Sequence, residues 1–123
     1  MSHIVTIKTE VRDANAVRAA CNRLKLPSPL FGSFPLFAGE AEGLGVQLPD
    51  WRYPVVCQLE TGQLRYDNYQ GRWGSEQNLG RFLQAYAVER AKLDARRQGN
   101  SVTEQAMADG SIKVTIQLKG GAA

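Results

Sequence analysis

The stretch from Ser75 to Gly99 constrains the fold more than any other part of the chain. Its apolar residues recur at three- and four-residue spacing, which places them on one stripe of an α-helix; they are Leu79, Phe82, Leu83, Tyr86 and Leu93. Ser75 or Asn78 can cap the start of this helix with a side-chain oxygen, and Gly99 can adopt the positive φ that often follows a helix. We therefore predict one long amphipathic helix that packs against a small sheet.

Arg90 interrupts the apolar stripe, because it lies between Tyr86 and Leu93 at helical spacing. Its aliphatic stem can cover the edge of the core while the guanidinium group reaches water. Alternatively, Arg90 is a buried charge that pairs with a carboxylate or points at a ligand. The first alternative is the commoner one, and the pattern leaves both open.

The rest of the chain alternates strand patterns with one further helix. Asp13 can cap that helix, which runs from Ala14 to about Lys25. Seven strand segments are predicted, at residues 3–9, 34–37, 44–48, 53–59, 63–69, 102–107 and 112–118. The predicted order is β-α-β-β-β-β-α-β-β. It defines an α+β fold with a mostly antiparallel sheet of about five to six strands and two helices on one face.

Length and composition fit one domain over residues 1–123, with a frayed tail at 119–123. Of the 123 residues, 43% are hydrophobic, which is too many for a disordered chain. No apolar run is long enough to span a membrane, and the first residues lack the layout of a signal peptide. We therefore expect a cytoplasmic protein without membrane association, in which Cys21 and Cys57 are reduced. A disulfide between them is the alternative.

The net charge of +3 arises in residues 72–97. That segment carries three anions and six cations, the cations being Arg72, Arg81, Arg90, Lys92, Arg96 and Arg97. A basic helix over residues 79–97 could attract nucleic acid or an acidic partner. The commoner interpretation of so small an excess is a solvated face that mixes both signs of charge.

The sequence contains no catalytic, metal-binding or cofactor motif. His3 is the single histidine, and its spacing to either cysteine does not indicate a nucleophile–base pair. Ligand spacing for zinc is absent, and the segment Gly71–Gly74 lacks the lysine of a phosphate-binding loop. We predict no catalytic residue, no metal and no cofactor. An enzyme whose site is assembled from His3, Asp67 and Arg90 is kept as an alternative.

Residues 66–73 concentrate aromatic, amide, carboxylate and guanidinium side chains. Tyr, Trp and Arg dominate the hot spots of protein interfaces, and such side chains also stack against single-stranded nucleic acid. The structural alternative is that Tyr66 and Trp73 fill the edge of the core while Asp67 and Asn68 form turns. The predicted partner-binding residues combine this segment with the outward face of the long helix; they are Tyr69, Arg72, Trp73, Val88, Lys92 and Arg96.

Three segments resemble a known family: Met1–Asp13, the helix core Phe82–Ala87, and Asp109–Ile112 with the alternating strand after it. The family comprises uncharacterised proteins of chloroplast genomes and cyanobacteria, described as a hypothetical reading frame and as a domain of unknown function. The resemblance covers nearly the whole chain and is weakest across residues 27–50, which suggests a bacterial branch outside the photosynthetic lineage. It implies an α+β fold and no assigned activity.

Members of this family resemble small accessory proteins that are often encoded beside an AAA+ ATPase. The resemblance therefore implies a non-enzymatic adaptor that binds a protein partner, with an AAA+ ATPase as the candidate. A nucleic-acid-binding protein that uses the basic helix is the second hypothesis, and it predicts an affinity that falls steeply with salt. The sequence does not specify the partner or the oligomeric state.

Overall fold

A computed structural model describes residues 4–119 of the chain. Its elements are β1 (Val5–Lys8), α1 (Ala14–Arg23), β2 (Leu30–Leu36), β3 (Gly39–Val46), β4 (Val55–Gln58), β5 (Gln63–Tyr66), α2 (Glu76–Arg97), β6 (Ser101–Ala106) and β7 (Ile112–Gln117). The predicted order of elements is confirmed. His3 and residues 120–123 of the predicted tail lie outside the described residues. Within residues 4–119, neither helix combines the length and apolarity that a membrane span requires.

The strands form two antiparallel sheets. Five of them make one sheet with the order β1-β5-β4-β3-β2, and β6 pairs with β7 in a separate sheet. The predicted α+β class is therefore confirmed. The last hairpin stands apart from the main sheet because it follows α2 and packs against that helix.

Both helices pack against one face of the five-stranded sheet and begin at side-chain caps. Asp13 accepts a hydrogen bond from the Ala16 N–H at 3.1 Å, and Ser75 accepts one from the Gln77 N–H at 3.1 Å. The buried residues between the helices and the sheet come from both layers and include Val17, Cys21, Leu44, Val55, Cys57, Leu64, Leu79, Phe82 and Tyr86. Leu83 and Leu93 pack at the edge of this core.

The β2–β3 hairpin folds back across the other face of the sheet. β3 pairs with β4 only through residues 44–46, so its first half runs past the end of β4 at Gln58. The tip of the hairpin nevertheless reaches the opposite end of the sheet, where the Ala38 N–H donates to Asp67 at 3.3 Å. The bent hairpin encloses a second, smaller core formed by Leu36, Ala41 and Val56 with Ile4, Phe34 and Tyr53.

Gly43 lies at this bend and has a φ of +154°. A Cβ atom at Gly43 would lie 2.5 Å from the carbonyl oxygen of Cys57 on β4, and one at Gly45 would lie 2.6 Å from the Phe34 ring. Glycine at both positions permits the close approach. The strands predicted at 34–37 and 44–48 are therefore parts of one longer hairpin, closed by a turn at Phe37 and Ala38.

The β6–β7 hairpin covers the side of α2 that faces away from the sheet. Its Glu104 forms ion pairs with Arg23 of α1 at 2.7 Å and with Lys92 of α2 at 3.3 Å. The hydrogen bond from Arg23 is the main reason that the pKa of Glu104 falls to about 2. The hairpin is thus fixed to both helices through one carboxylate.

Candidate functional site

The loop between β5 and α2 is organised by Asn68, which is only 2% exposed. Its Nδ2 donates to the carbonyl oxygen of Gly74 at 3.2 Å and to the carboxylate of Glu76 at 2.8 Å. The backbone carbonyl oxygen of Asn68 accepts hydrogen bonds from the N–H groups of Gly71 and Trp73. The side-chain amide and the backbone carbonyl of one buried asparagine therefore stabilise the loop that carries the aromatic side chains.

These hydrogen bonds hold an uncommon backbone. Tyr69 and Gln70 have φ values of 48° and 54°, in the left-handed region that side chains other than glycine rarely adopt. Two such residues in succession are a local strain that the surrounding contacts must offset. This backbone conformation sets the position of the Tyr69 ring.

The ring of Tyr69 stacks on that of Trp73, with centroids 4.8 Å apart and planes inclined by 26°. The guanidinium group of Arg52 lies 4.7 Å from the Trp73 ring, and that of Arg72 lies 5.0 Å from the Tyr69 ring. Each ring already has one face against the other ring, so each guanidinium group must occupy an outer face. The result is a four-layer stack with a positive charge at both ends.

Two further aromatic rings contact Trp73 at a steep angle, 59° for Phe37 and 65° for Tyr53. The centroid of Phe37 lies 5.2 Å from that of Trp73, and the centroid of Tyr53 lies 5.8 Å from it. Phe37 is 60% exposed, while Tyr53 and Trp73 are half-buried. We call this group the aromatic–arginine surface; its residues are Phe37, Arg52, Tyr53, Tyr69, Arg72 and Trp73.

Asp67 is buried beneath this surface and connects two of the segments that form it, the β2–β3 turn and the loop between β5 and α2. Its side chain is fully buried, and Oδ2 accepts the hydrogen bond from the Ala38 N–H in the β2–β3 turn. Its other oxygen, Oδ1, has no hydrogen-bond partner among the described residues. A buried carboxylate is costly, and here it ties the turn that carries Phe37 to the loop that carries Trp73.

Half of the predicted partner-binding residues come together on this surface, namely Tyr69, Arg72 and Trp73. The predicted helix face does not join them. Val88 does lie on the side of α2 that faces away from the sheet, but it is only 6% exposed because the β6–β7 hairpin covers that side, so the prediction that Val88 is exposed to a partner is wrong. Lys92 is engaged by two glutamates. Arg96 is exposed, but it lies about 30 Å along α2 from the helix start at 1.5 Å per residue.

Arg90 is not a buried charge, because 37% of its side chain is exposed. Its Nε donates to Asp94, one turn further along α2, at 3.0 Å. Its Nη1 donates to the hydroxyl of Tyr86 at 3.3 Å. The side chain therefore covers the edge of the core and pairs at the surface, as in the commoner of the two interpretations of the sequence, and the alternative of a buried charge is wrong.

The basic helix has less free charge than its composition indicates. Arg90 pairs with Asp94, and Arg97 pairs with Asp13 at 3.1 Å and with Asp94 at 3.5 Å. Lys92 is paired as well. Arg81 and Arg96 are the exposed α2 arginines that form no ion pair within residues 4–119. The positive charge that nucleic acid would require is therefore largely neutralised on this helix.

The described residues do not assemble the alternative enzyme site. Asp67 is buried under the β2–β3 turn, whereas Arg90 lines an open groove of about 700 Å³ beside Tyr86. His3 lies outside the described residues. Within residues 4–119, no three His, Cys, Asp or Glu side chains are grouped as metal ligands. Cys21 and Cys57 are free, and burial raises their pKa values to about 11 and about 12, so both thiols stay protonated.

Sequence reasoning missed three residues of the aromatic–arginine surface: Phe37, Arg52 and Tyr53. Each belongs to a segment distant from Trp73 in the chain, and the fold alone brings them together. A phenylalanine in a two-residue hairpin turn is the one local signal, since polar residues and glycine usually occupy such turns.

Comparisons of this chain with models of protein families, with curated proteins and with solved structures found no match. The resemblance to the chloroplast and cyanobacterial family stays a prediction.

Proposed function

We propose that this protein is a small non-enzymatic accessory protein that binds a protein partner through the aromatic–arginine surface. One observation carries the proposal: four aromatic rings and two guanidinium groups are clustered at the surface, with Phe37 60% exposed. Trp, Tyr and Arg are the residue types that contribute most to protein interfaces. An exposed apolar patch bordered by polar groups marks an interaction site.

The rigidity of the surface supports the same proposal. Asn68 fixes the loop that carries Tyr69 and Trp73, and Asp67 fixes the turn that carries Phe37. A surface whose side chains are ordered before binding loses less conformational entropy when a partner docks. Less of the free energy gained by burying this surface against a partner would then be lost in ordering the loop.

The family resemblance supplies an AAA+ ATPase as the candidate partner, and a cytoplasmic adaptor is the role that fits it. Nucleic acid is the competing ligand, since aromatic rings and arginines can hold unpaired bases. The stack disfavours it, because the outer faces of Tyr69 and Trp73 are covered by guanidinium groups and their inner faces meet each other. Among the described residues, a base would therefore find no free face on the Tyr69 or Trp73 ring, and Phe37 is the exposed ring that remains.

Affinity capture from the native cells tests the proposal. The tagged protein is captured with and without nuclease, as wild type, as Phe37→Ser and as Phe31→Ser. Phe31 is the matched control, because it is 63% exposed on the same hairpin but makes no ring contact with Trp73. We expect a nuclease-resistant protein partner to be retained by Phe31→Ser and reduced about tenfold or more by Phe37→Ser.

Two outcomes would contradict the proposal. The first is that only nuclease-sensitive material is captured, which would indicate a nucleic-acid-binding protein. The second is that both phenylalanine variants, shown to be folded by circular dichroism, retain the partner equally. That result would place the interface elsewhere.

A further inference from the structure

The two arginines of the aromatic–arginine surface can still pair with negatively charged groups. Arg52 and Arg72 are exposed, and neither forms an ion pair within residues 4–119. Arg52 lies over the Trp73 and Tyr53 rings and Arg72 over the Tyr69 ring, and neither guanidinium group donates a hydrogen bond within residues 4–119. The N–H edges of these groups match a carboxylate in a planar, two-point hydrogen-bonded pair. The stack thus holds two separate, oriented sites for negative charge.

The distance between these charges limits what can bridge them. Three stacking separations of 4.7, 4.8 and 5.0 Å place the guanidinium groups no more than about 14.5 Å apart. In an extended chain, side chains on one face recur every two residues, and residues i and i+4 lie about 13 Å apart, which is within this upper limit. A side chain at i+2 would then lie between the two charges, over the rings.

We infer that the partner presents an acidic extended segment of the form acid-x-apolar-x-acid to this surface. This inference rests on the proposed function and specifies the chemistry of its ligand. The two carboxylates pair with Arg52 and Arg72, and the apolar side chain packs against the exposed ring of Phe37 and the edge of Trp73. Charge complementarity selects the segment, while the aromatic rings supply the buried area.

A peptide titration tests the inference directly. The probe is a fluorescein-labelled peptide with a Glu-Ser-Leu-Ser-Glu core between Gly-Ser flanks. The comparison peptide carries Gln in place of both Glu residues, and a fluorescein-labelled twelve-nucleotide oligothymidine reports nucleic-acid binding. We expect the Glu peptide to bind wild-type protein about tenfold more tightly than the Gln peptide, with an affinity that falls as salt is raised.

Arginine variants assign this preference to the stack. Arg52→Gln/Arg72→Gln removes the two charges, and Arg81→Gln/Arg96→Gln removes two exposed, unpaired charges from α2 as the matched control. We expect the preference for Glu to disappear in the first double variant and to persist in the second. Equal binding of the two peptides, binding of neither, or tighter binding of the oligonucleotide would overturn the inference.

Cell capture separates failure of this inference from failure of the proposed function. If Phe37→Ser loses the partner and Arg52→Gln/Arg72→Gln retains it, the surface is correct and the acidic segment is wrong. If all these variants retain the partner, the proposed function fails together with the inference. If the arginine variant and Phe37→Ser both lose it, both statements are supported.

Discussion

Substitution of Gly43 by alanine is expected to lower the free energy of unfolding by about 3 kcal/mol. The new methyl group would lie 2.5 Å from the carbonyl oxygen of Cys57, in a backbone conformation with a φ of +154°. Relief would require β3 to move away from β4, because the obstacle is backbone rather than a flexible side chain. The bend of the hairpin would then open, and Phe37 would shift from Trp73.

Gly32 provides the matched control for this substitution, since it pairs directly with Gly43 in the same hairpin. Among residues 4–119, a Cβ atom at Gly32 would meet only the Phe34 ring, at 3.6 Å, which is an ordinary contact. Gly32→Ala should therefore leave stability unchanged or raise it by up to about 1 kcal/mol. Urea unfolding of the two variants measures the difference, and equal stabilities would contradict the bend described here.

Asn68→Asp is expected to cost about 3 kcal/mol at neutral pH, and Asn68→Ala about 2 kcal/mol. The amide of Asn68 donates to two acceptors, the Gly74 carbonyl and the Glu76 carboxylate. Alanine leaves both without this donor, whereas aspartate also places a second carboxylate against Glu76. Repulsion raises the folded-state pKa of the new carboxyl group above its unfolded value, so the deficit grows as pH rises through that pKa and shrinks in acid.

Urea unfolding at pH 7 and at about pH 4 checks this prediction. Near-UV circular dichroism should show that the environment of Trp73 changes in both Asn68 variants. Asn22→Ala serves as the control, because Asn22 is exposed on α1, and it should change stability by less than about 0.5 kcal/mol. An Asn68→Asp protein as stable as wild type at pH 7 would show that the loop does not depend on this donor.

The elements of the fold could be predicted where local chemistry decides them. The caps at Asp13 and Ser75 and the periodicity of α2 are local signals, and the structure agrees with them. The bent β2–β3 hairpin could not be predicted in this way, because its bend depends on how closely Gly43 approaches Cys57 on another strand. A glycine-rich sequence shows that an approach is allowed and does not show against which strand.

The difference between local signals and contacts between distant segments also explains which site residues could be predicted. Tyr69, Arg72 and Trp73 are near one another in sequence, so their composition alone indicated a surface cluster. Val88 was assigned to the wrong environment because helical periodicity shows which residues share a face and not which element covers that face. A phenylalanine in a hairpin turn is an unusual local feature, but Phe37 reaches Trp73 only because the hairpin folds back, which is a tertiary event.

The most direct test of the central claim is site-specific photo-cross-linking in the native cells. Two variants of this protein carry a benzoylphenylalanine residue, one at position 37 and the other at position 31. Both positions hold exposed phenylalanines of the same hairpin. We expect a discrete protein adduct from position 37 and none from position 31. An adduct from position 31 alone, or the absence of any protein adduct from position 37, would show that the aromatic–arginine surface is not where a partner binds.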